Sequence, residues 1–298
     1  PDNLVAVVTV HQQTFLIGGN TIHVVVNTGA SPFPFESVQG VFIEYGATAP
    51  FGIQQVANTI FWAGNDKSGA NVIWMAEGYQ PRRISTTAIE NYLSRYDVTN
   101  ATSYSYQENG HYFYVISPHN APTSLVYDIT MEQWHERAVW NPASGFFERD
   151  RANFHMYAFG KHLVSDYENG KIYEQSVNYN DDAGTLIKRT RTLPYFTDDL
   201  EFLYFQWFQI DMQTGVGLGY DSNPENMDPH ITLRWSSYVW HTWSTEISRP
   251  IGKVGEYSAR ARWDMLGRSR FRIWEVSIIA NVPVNMIAAH QGVTKGYA

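Results

Sequence analysis

Five arginines in one short stretch, Arg260, Arg262, Arg268, Arg270 and Arg272, have the spacing best suited to recognition chemistry in this sequence. They fall on two neighbouring strand-like segments. Residues two apart on a strand share a face, so each short series presents its guanidinium groups in one direction. Such a stripe suits contact with an acidic subunit surface or with DNA phosphates, which arginine grips through paired N–H donors. The competing reading is a solvated outer face balanced by Glu256, Asp264 and Glu275. Just upstream, the segment from Ser236 to Trp243 keeps the frame of an Asp box, S-x-D-x-G-x-x-W, in which Asp and Gly make a hairpin turn and Trp packs beneath it. Tyr238 and Trp240 stand where Asp and Gly would be. The polar turn chemistry is thereby replaced by two large rings, which argues against a carbohydrate or calcium role and for a contact surface.

Signals for catalysis are sparse. There is no P-loop, no H-E-x-x-H pair and no nucleophile elbow. The glycines of Gly215-Val216-Gly217-Leu218-Gly219 lack the strand-turn-helix setting of a dinucleotide fingerprint and read as a loop. Among ten histidines the closest group is His111, His119 and His135, without the spacing of a metal site. Arg82, Arg83, Asp128, Glu132 and Glu136 could converge from several sheets as a glycosidase would need, yet each is equally explained as a solvated loop charge. The expectation is therefore no catalytic residue, no cofactor and no metal.

The elements that would position these residues are strands. Aromatics make up 15% of the 298 residues and charged residues only 17%, the profile of a sheet protein with extensive packed or subunit-facing surfaces. With no cysteine, the fold must hold by packing and strand pairing alone. A formal charge of −8 argues against nucleic acid wrapping the whole surface. No apolar run is long enough to span a bilayer. The start, Pro1-Asp2-Asn3-Leu4, lacks the regions of a signal peptide and suggests a processed product.

β-Branched and aromatic runs punctuated by turn residues predict hairpins from Val5 to Val26, from Asn58 to Met75, from Tyr104 through Asn109-Gly110 to Val115, and from Met156 through Asn169-Gly170 to Tyr173. Equivalent hairpins recur at intervals of roughly 45 to 55 residues, the period of a four-stranded propeller blade. Val126-Tyr127-Asp128 followed by Trp134 has the cadence of such a blade. One helix is predicted over Thr86 to Ser94, capped by Ser85, as an insertion at a blade edge. Near Thr190 to Asp199 the rhythm changes. The prediction is an all-β chain, with propeller blades over residues 1–195, complete or partial, and a C-terminal β-sandwich over 196–298 packed on them.

The motifs LRWSSYVWHTWSTE, IGKVGEY, RWDMLGRSR and VPVNMIAAH between Leu233 and His290 resemble the C-terminal part of the packaged-DNA stabilisation proteins, tail hubs of short-tailed bacteriophages. The opening TVHQQTFLIGGNTIHVVV, ISTTAIENYLSRY, HYFYVIS and LVYDITMEQWHER occur in the order that family would show. Family members carry further sequence ahead of the first hairpin, so whether this chain closes its own propeller is left open. The resemblance implies a structural virion protein, assembled in the host cytoplasm, that sits below the portal and adaptor, contacts other tail proteins and forms a hexameric homo-oligomeric ring around the DNA exit channel. It implies contact with genomic DNA there, no membrane insertion and no catalytic residue. Tyr238, Trp240 and the five arginines are the candidate contact surface. Two rivals are a propeller that binds or hydrolyses host-surface glycan, and a cellular scaffold propeller with a peptide groove.

Overall fold

The computed structural model describes residues 2–238 and 241–296. It divides into two compact units, Pro1–Ser176 and Val177–Ala298.

The first unit is a series of four antiparallel meanders that begin at Leu4, Gln54, Asp97 and Ala152. The first sheet holds β1 (Leu4–Val10), β2 (Gln13–Gly18), β3 (Ile22–Asn27) and β4 (Phe35–Ser37). The second holds β5 (Gln54–Val56), β6 (Thr59–Asn65), β7 (Asn71–Glu77) and β8 (Gln80–Arg83). The third runs through β9 (Asp97–Glu108), β10 (His111–His119), β11 (Ser124–Asp128), β12 (Gln133–Asn141) and β13 (Phe146–Arg149). The fourth has three strands, β14 (Ala152–Ala158), β15 (Lys161–Asp166) and β16 (Ile172–Gln175). Each sheet pairs strands in sequence order, the up-and-down arrangement of propeller blades.

Strand alternation explains why the sheets stack. On β6 and β7, Ile60, Trp62, Val72, Trp74 and Ala76 pack with the first sheet's Phe15, Ile17, Ile22 and Val24, while Phe61, Ala63 and Ile73 pack with Tyr114, Ile116, Leu125 and Tyr127 of the third. The opposite face of the third sheet sends Tyr104, Tyr106, Val115 and Val126 against Ala152 and Val164 of the fourth. Sheets buried on both faces read as nearly unbroken apolar runs, as the sequence does at Ile60 to Ala63 and Tyr114 to Ile116.

A repeat hidden in the sequence is plain in the backbone. The first hairpin of every sheet turns through two consecutive residues of positive φ: His11-Gln12, Ala57-Asn58, Asn109-Gly110 and Phe159-Gly160. This two-residue turn matches the twist of the flanking strands. Only Asn109-Gly110 has the residues that advertise it. The second expected Asn-Gly turn, at Asn169-Gly170, is a wider loop in which the Asp166 carboxylate accepts from the Glu168 N–H at 2.8 Å and from the Asn169 amide at 2.9 Å.

Between the first two sheets the backbones approach so closely that a Cβ on Gly46 would overlap the Gly18 carbonyl oxygen, and one on Gly64 would overlap the Gly46 carbonyl oxygen. Because backbone rather than a flexible side chain blocks the space, Gly46→Ala is expected to cost about 3 kcal/mol, the upper part of the range for overpacking. Urea unfolding of the variant against the parent measures it.

The helix forms as α1 (Thr87–Leu93), and two details differ from expectation. Thr86, not Ser85, is the cap, accepting from the Ile89 N–H at 3.5 Å, because Ser85 instead donates to Glu90 at 2.8 Å. Nor is the helix an edge insertion, since Ile89 and Leu93 belong to the core shared by the second and third sheets.

The second unit begins with a small hairpin, β17 (Asp181–Asp182) and β18 (Thr185–Leu186). Two sheets follow. One is ordered β19 (Lys188–Thr192), β26 (Phe271–Ile279), β22 (His230–Ser236), β23 (Ile247–Pro250), with β20 (Phe196–Thr197) also on β26. The other centres on β21 (Leu203–Met212), which pairs on one side with β24 (Ala261–Asp264) and β25 (Arg268–Ser269) and also with β27 (Met286–Lys295). Their facing residues, among them Phe205, Phe208, Trp263, Trp274, Leu233 and Val276, make one core, as in a β-sandwich. The units divide at Ser176/Val177 rather than near residue 195, because β19 pairs with β26 from Lys188↔Ile279 to Thr192↔Glu275. A second short helix, α2 (Pro224–Met227), capped by Asn223, follows the glycines Gly215, Gly217 and Gly219.

Candidate interaction surface

The arginine stripe is built on the β24–β25 side of β21. On β24, Ala261 and Trp263 point into the core, so Arg262 and Asp264 point away from it, and they pair at 3.0 Å. The Arg262 guanidinium also lies 4.7 Å from the centre of the Trp207 ring. Arg268, opposite Tyr204 in register, and Arg270 share one support: their guanidinium carbons lie 5.2 and 4.7 Å from the centre of the Phe202 ring. A ring face beneath a guanidinium favours its charge and restricts its motion, which leaves the N–H edges free for a partner. Among the described residues, Arg260, Arg268 and Arg270 have no carboxylate within ion-pair distance, and all three are exposed. Expected balancing by Glu256 and Glu275 does not occur, because Glu256 accepts from the Lys253 N–H and Glu275 pairs with Arg234 at 2.5 Å.

Arg272 does not belong to the surface. It is 1% exposed, donates from Nε to Ser269 Oγ at 3.2 Å and from Nη1 to the Leu266 carbonyl at 2.9 Å, and is caged by Phe205, Trp274 and Trp235. Between Ser269 and Phe271 the chain leaves the β21 sheet for the other one, so the parity that exposes Arg268 and Arg270 turns Arg272 inward. Burial pushes its guanidinium down to about 10, still charged at neutral pH.

Tyr238 is 68% exposed. Trp240 lies outside the described residues. Of the Asp-box frame, Ser236 is buried, but Trp243 is not among the core residues; its ring takes the Arg234 guanidinium at 4.7 Å. Sequence reasoning missed Arg249, whose Nε donates to the Arg262 carbonyl at 3.0 Å and so adds a fifth arginine beside Arg260, Arg262, Arg268 and Arg270. Its position in β23, across a long loop from β24, gave no sign of this.

Of the residues named for a converging carboxylate–arginine site, Arg82 and Glu132 meet each other, whereas Arg83 and Asp128 bind other side chains. Arg82 forks onto Glu132 at 3.0 and 3.1 Å, Arg83 binds Glu90, and Asp128 binds the His111 ring at 2.7 Å. Hydrogen bonding to Arg83 holds the Glu90 carboxyl below its ordinary range. A groove of about 520 Å³ in the second unit is lined by Glu225, Asp228, His230, Thr232, Glu246, Ser248 and Ser277. Its carboxylates and hydroxyls suit polar contact. No group of three or more His, Asp or Glu among the described residues is placed to hold a metal ion, and no helix is long and apolar enough to cross a membrane.

Four successive antiparallel meanders packed face to face define a β-propeller architecture. Residues 1–178 match the family model for phage stabilisation, Bacteriophage P22 Gp10, beta-propeller, and the chain belongs to this family of packaged-DNA stabilisation proteins. The match spans the stacked sheets, whereas the motifs between Leu233 and His290 lie beyond it. Comparison with curated proteins gave no match. Among solved structures, the chain is similar to an exo-β-1,3-galactanase from Phanerochaete chrysosporium, 9% identical, with 93% of this chain and 66% of that one covered and a TM-score of 0.22. This chain thus spans just under two thirds of the galactanase's length. A GH32 β-fructofuranosidase from Bombyx mori is 11% identical, with 96% and 89% covered and a TM-score of 0.25. A Bacillus thuringiensis Cry1Da tryptic core variant is 10% identical, with 98% and 51% covered and a TM-score of 0.26. Likenesses this distant carry no argument about activity.

Proposed function

We propose that this protein is a tail hub or nozzle subunit of a short-tailed phage, a virion component that assembles into a homo-oligomeric ring, a hexamer, below the portal and adaptor. The ring closes the DNA exit channel and retains the packaged genome until ejection. Assembly takes place in the host cytoplasm after packaging. The family match over the stacked sheets is the observation that carries this reading. Sealing a conduit asks for stiffness and side-to-side contact, and sheets packed on both faces supply stiffness. Heterologous contacts that close a ring need a patch on each subunit that fits a different patch on the next. Tyr238, Trp240, Arg260, Arg262, Arg268 and Arg270 are the residues we assign to such contacts, with neighbouring copies, other tail proteins or DNA in the channel.

Particles filled with DNA but lacking this chain test the proposal. They are expected to lose DNA, and added protein is expected to restore retention. The double variant Arg268→Glu/Arg270→Glu is expected to restore at least tenfold less, since reversing unpaired interfacial charges costs well over 1.4 kcal/mol. DNA retention that is indifferent to the presence of the chain overturns the reading. The rival, binding or hydrolysis of host-surface glycan, would draw on the carboxylate-lined groove, and turnover of purified surface glycan by the chain alone would favour it.

A further inference from the structure

The β-sandwich of the second unit carries unlike chemistry on its two outward faces. On the β21 sheet, Ala261 and Trp263 fill the core and the arginines point away from it. Arg262 is taken by Asp264, whereas Arg268 and Arg270 rest exposed on the Phe202 ring, and Arg249 adds a further charge beside Arg262. On the β22–β26 sheet, Ile231, Leu233, Val276 and Ile278 fill the same core, so Thr232 and Ser277 face the other way. Strand register places Ser248 of β23, Thr232 of β22 and Ser277 of β26 in one line across that outward face. Short hydroxyl side chains sink the surface below their taller neighbours, and these line the groove of about 520 Å³. Its other lining residues include Glu246, from just before β23, with Glu225 of α2 and Asp228 at the end of that helix.

We infer that the groove over Ser248, Thr232 and Ser277 is the socket in which one copy of this chain receives the Arg268 and Arg270 face of the next. The inference rests on the reading of the chain as a ring subunit, and it names the contact that joins neighbours.

Charge selects the occupant. Among the described residues, Glu225 and Glu246 have no basic group within ion-pair distance. Asp228 has Lys253 at 4.0 Å, and Arg234 is already held by Glu275 at 2.5 Å. Lys188, opposite Ile279 in register, is not among the residues that line the groove. The groove therefore keeps an excess of negative charge, as the arginine face keeps an excess of positive charge. A guanidinium binds a carboxylate through two parallel N–H donors, and the hydroxyls of the groove floor can accept from the N–H groups left over. DNA phosphates would suit the arginines but would be repelled by the groove. A second copy uses both surfaces.

Placement narrows the geometry. The two surfaces lie on opposite outward faces of one sandwich, so their contact is not the self-matching patch of a two-fold dimer. It is heterologous, repeating from copy to copy, and it closes when the successive rotations complete a turn.

Charge exchange between copies of the full chain, read by native mass spectrometry, tests the contact. The parent is expected to be oligomeric and to loosen as ionic strength rises, because exposed ion pairs are screened. Arg268→Glu/Arg270→Glu reverses one side of the contact and Glu225→Lys/Glu246→Lys the other. Each pair of substitutions alone is expected to raise the dissociation constant of the oligomer at least about tenfold, since like charges then face each other. Mixed in equal amounts, the two variants are expected to regain oligomers in which they alternate, as an even-membered ring allows. A chain carrying all four substitutions is expected to regain the parent's assembly, with the charges matched in reverse. Glu225→Gln/Glu246→Gln serves should the lysine variant fail to fold, and it is expected to weaken the oligomer in the same direction. A parent that stays monomeric at every concentration overturns the ring reading and the contact with it. An oligomeric parent unmoved by the groove substitutions, or reversed variants that stay apart when mixed, overturns the contact alone. Loss of duplex DNA binding by the arginine variant with its oligomer intact also overturns it, and assigns that face to DNA.

Discussion

Arg272→Ala is expected to destabilise the second unit by about 3–5 kcal/mol, more than any other single arginine change in the chain. Two effects act together. Truncation opens a void among Phe205, Trp235 and Trp274, and it removes the donor that serves the Leu266 carbonyl at 2.9 Å. The loss is only partly offset by the removal of a buried charge that has no carboxylate partner. Arg272→Met, which fills most of the volume without charge, separates the two: it is expected to recover at least half of the loss. Arg270→Ala, exposed and resting on Phe202, is expected to stay within about 0.5 kcal/mol of the parent. Urea unfolding of the three variants measures the set. Equal effects at positions 270 and 272 would mean that Arg272 is a surface residue after all.

Tyr114→Ala is expected to destabilise the first unit by about 3–5 kcal/mol. Its side chain is fully buried where the second and third sheets face each other, stacks on Phe61 at 5.4 Å and donates from its hydroxyl to the Gly52 carbonyl at 2.7 Å. Tyr114→Phe keeps the stack and deletes the hydrogen bond, so it is expected to cost only about 1–2 kcal/mol. The gap between the two substitutions measures how much of this seam is packing and how much is hydrogen bonding. Equilibrium unfolding monitored by near-ultraviolet circular dichroism supplies both numbers. A Tyr114→Ala cost below about 1 kcal/mol would contradict the face-to-face stacking of these sheets.

The blade pattern was legible because it rests on local rules. Alternating and unbroken apolar runs reveal which strands are buried on one or both faces, and Asn109-Gly110 marks its turn without help from the rest of the fold. His11-Gln12, Ala57-Asn58 and Phe159-Gly160 make the same kind of turn without its signature residues. Phe159 does so at positive φ while 93% exposed. In these cases pairing of the flanking strands overrides local preference, which sequence patterns cannot register. The family, too, was visible in the order of motifs.

What escaped was whatever depends on a change of sheet or on distant partners. Arg272 shares the i, i+2 spacing of Arg268 and Arg270, and only the passage from the β21 sheet to the β22–β26 sheet reverses its direction. Arg249 meets Arg262 across a loop. His155 and His162 become diagonal neighbours on one face of the fourth sheet through the Phe159-Gly160 turn, which sets Tyr157 opposite His162 and His155 opposite Val164 but carries no signature residues of a hairpin. The unit boundary was set too late for a similar reason, since the partner of β19 lies far along the chain in β26.

The central claim is that these sheets act mechanically, as copies meeting side to side to seal a channel. Native mass spectrometry of the purified full chain, over a range of protein concentrations and ionic strengths, tests it most directly. The account predicts one closed oligomer of fixed stoichiometry that loses subunits when Arg268 and Arg270 are reversed to glutamate. A chain that stays monomeric at every concentration while cleaving surface glycan would contradict it.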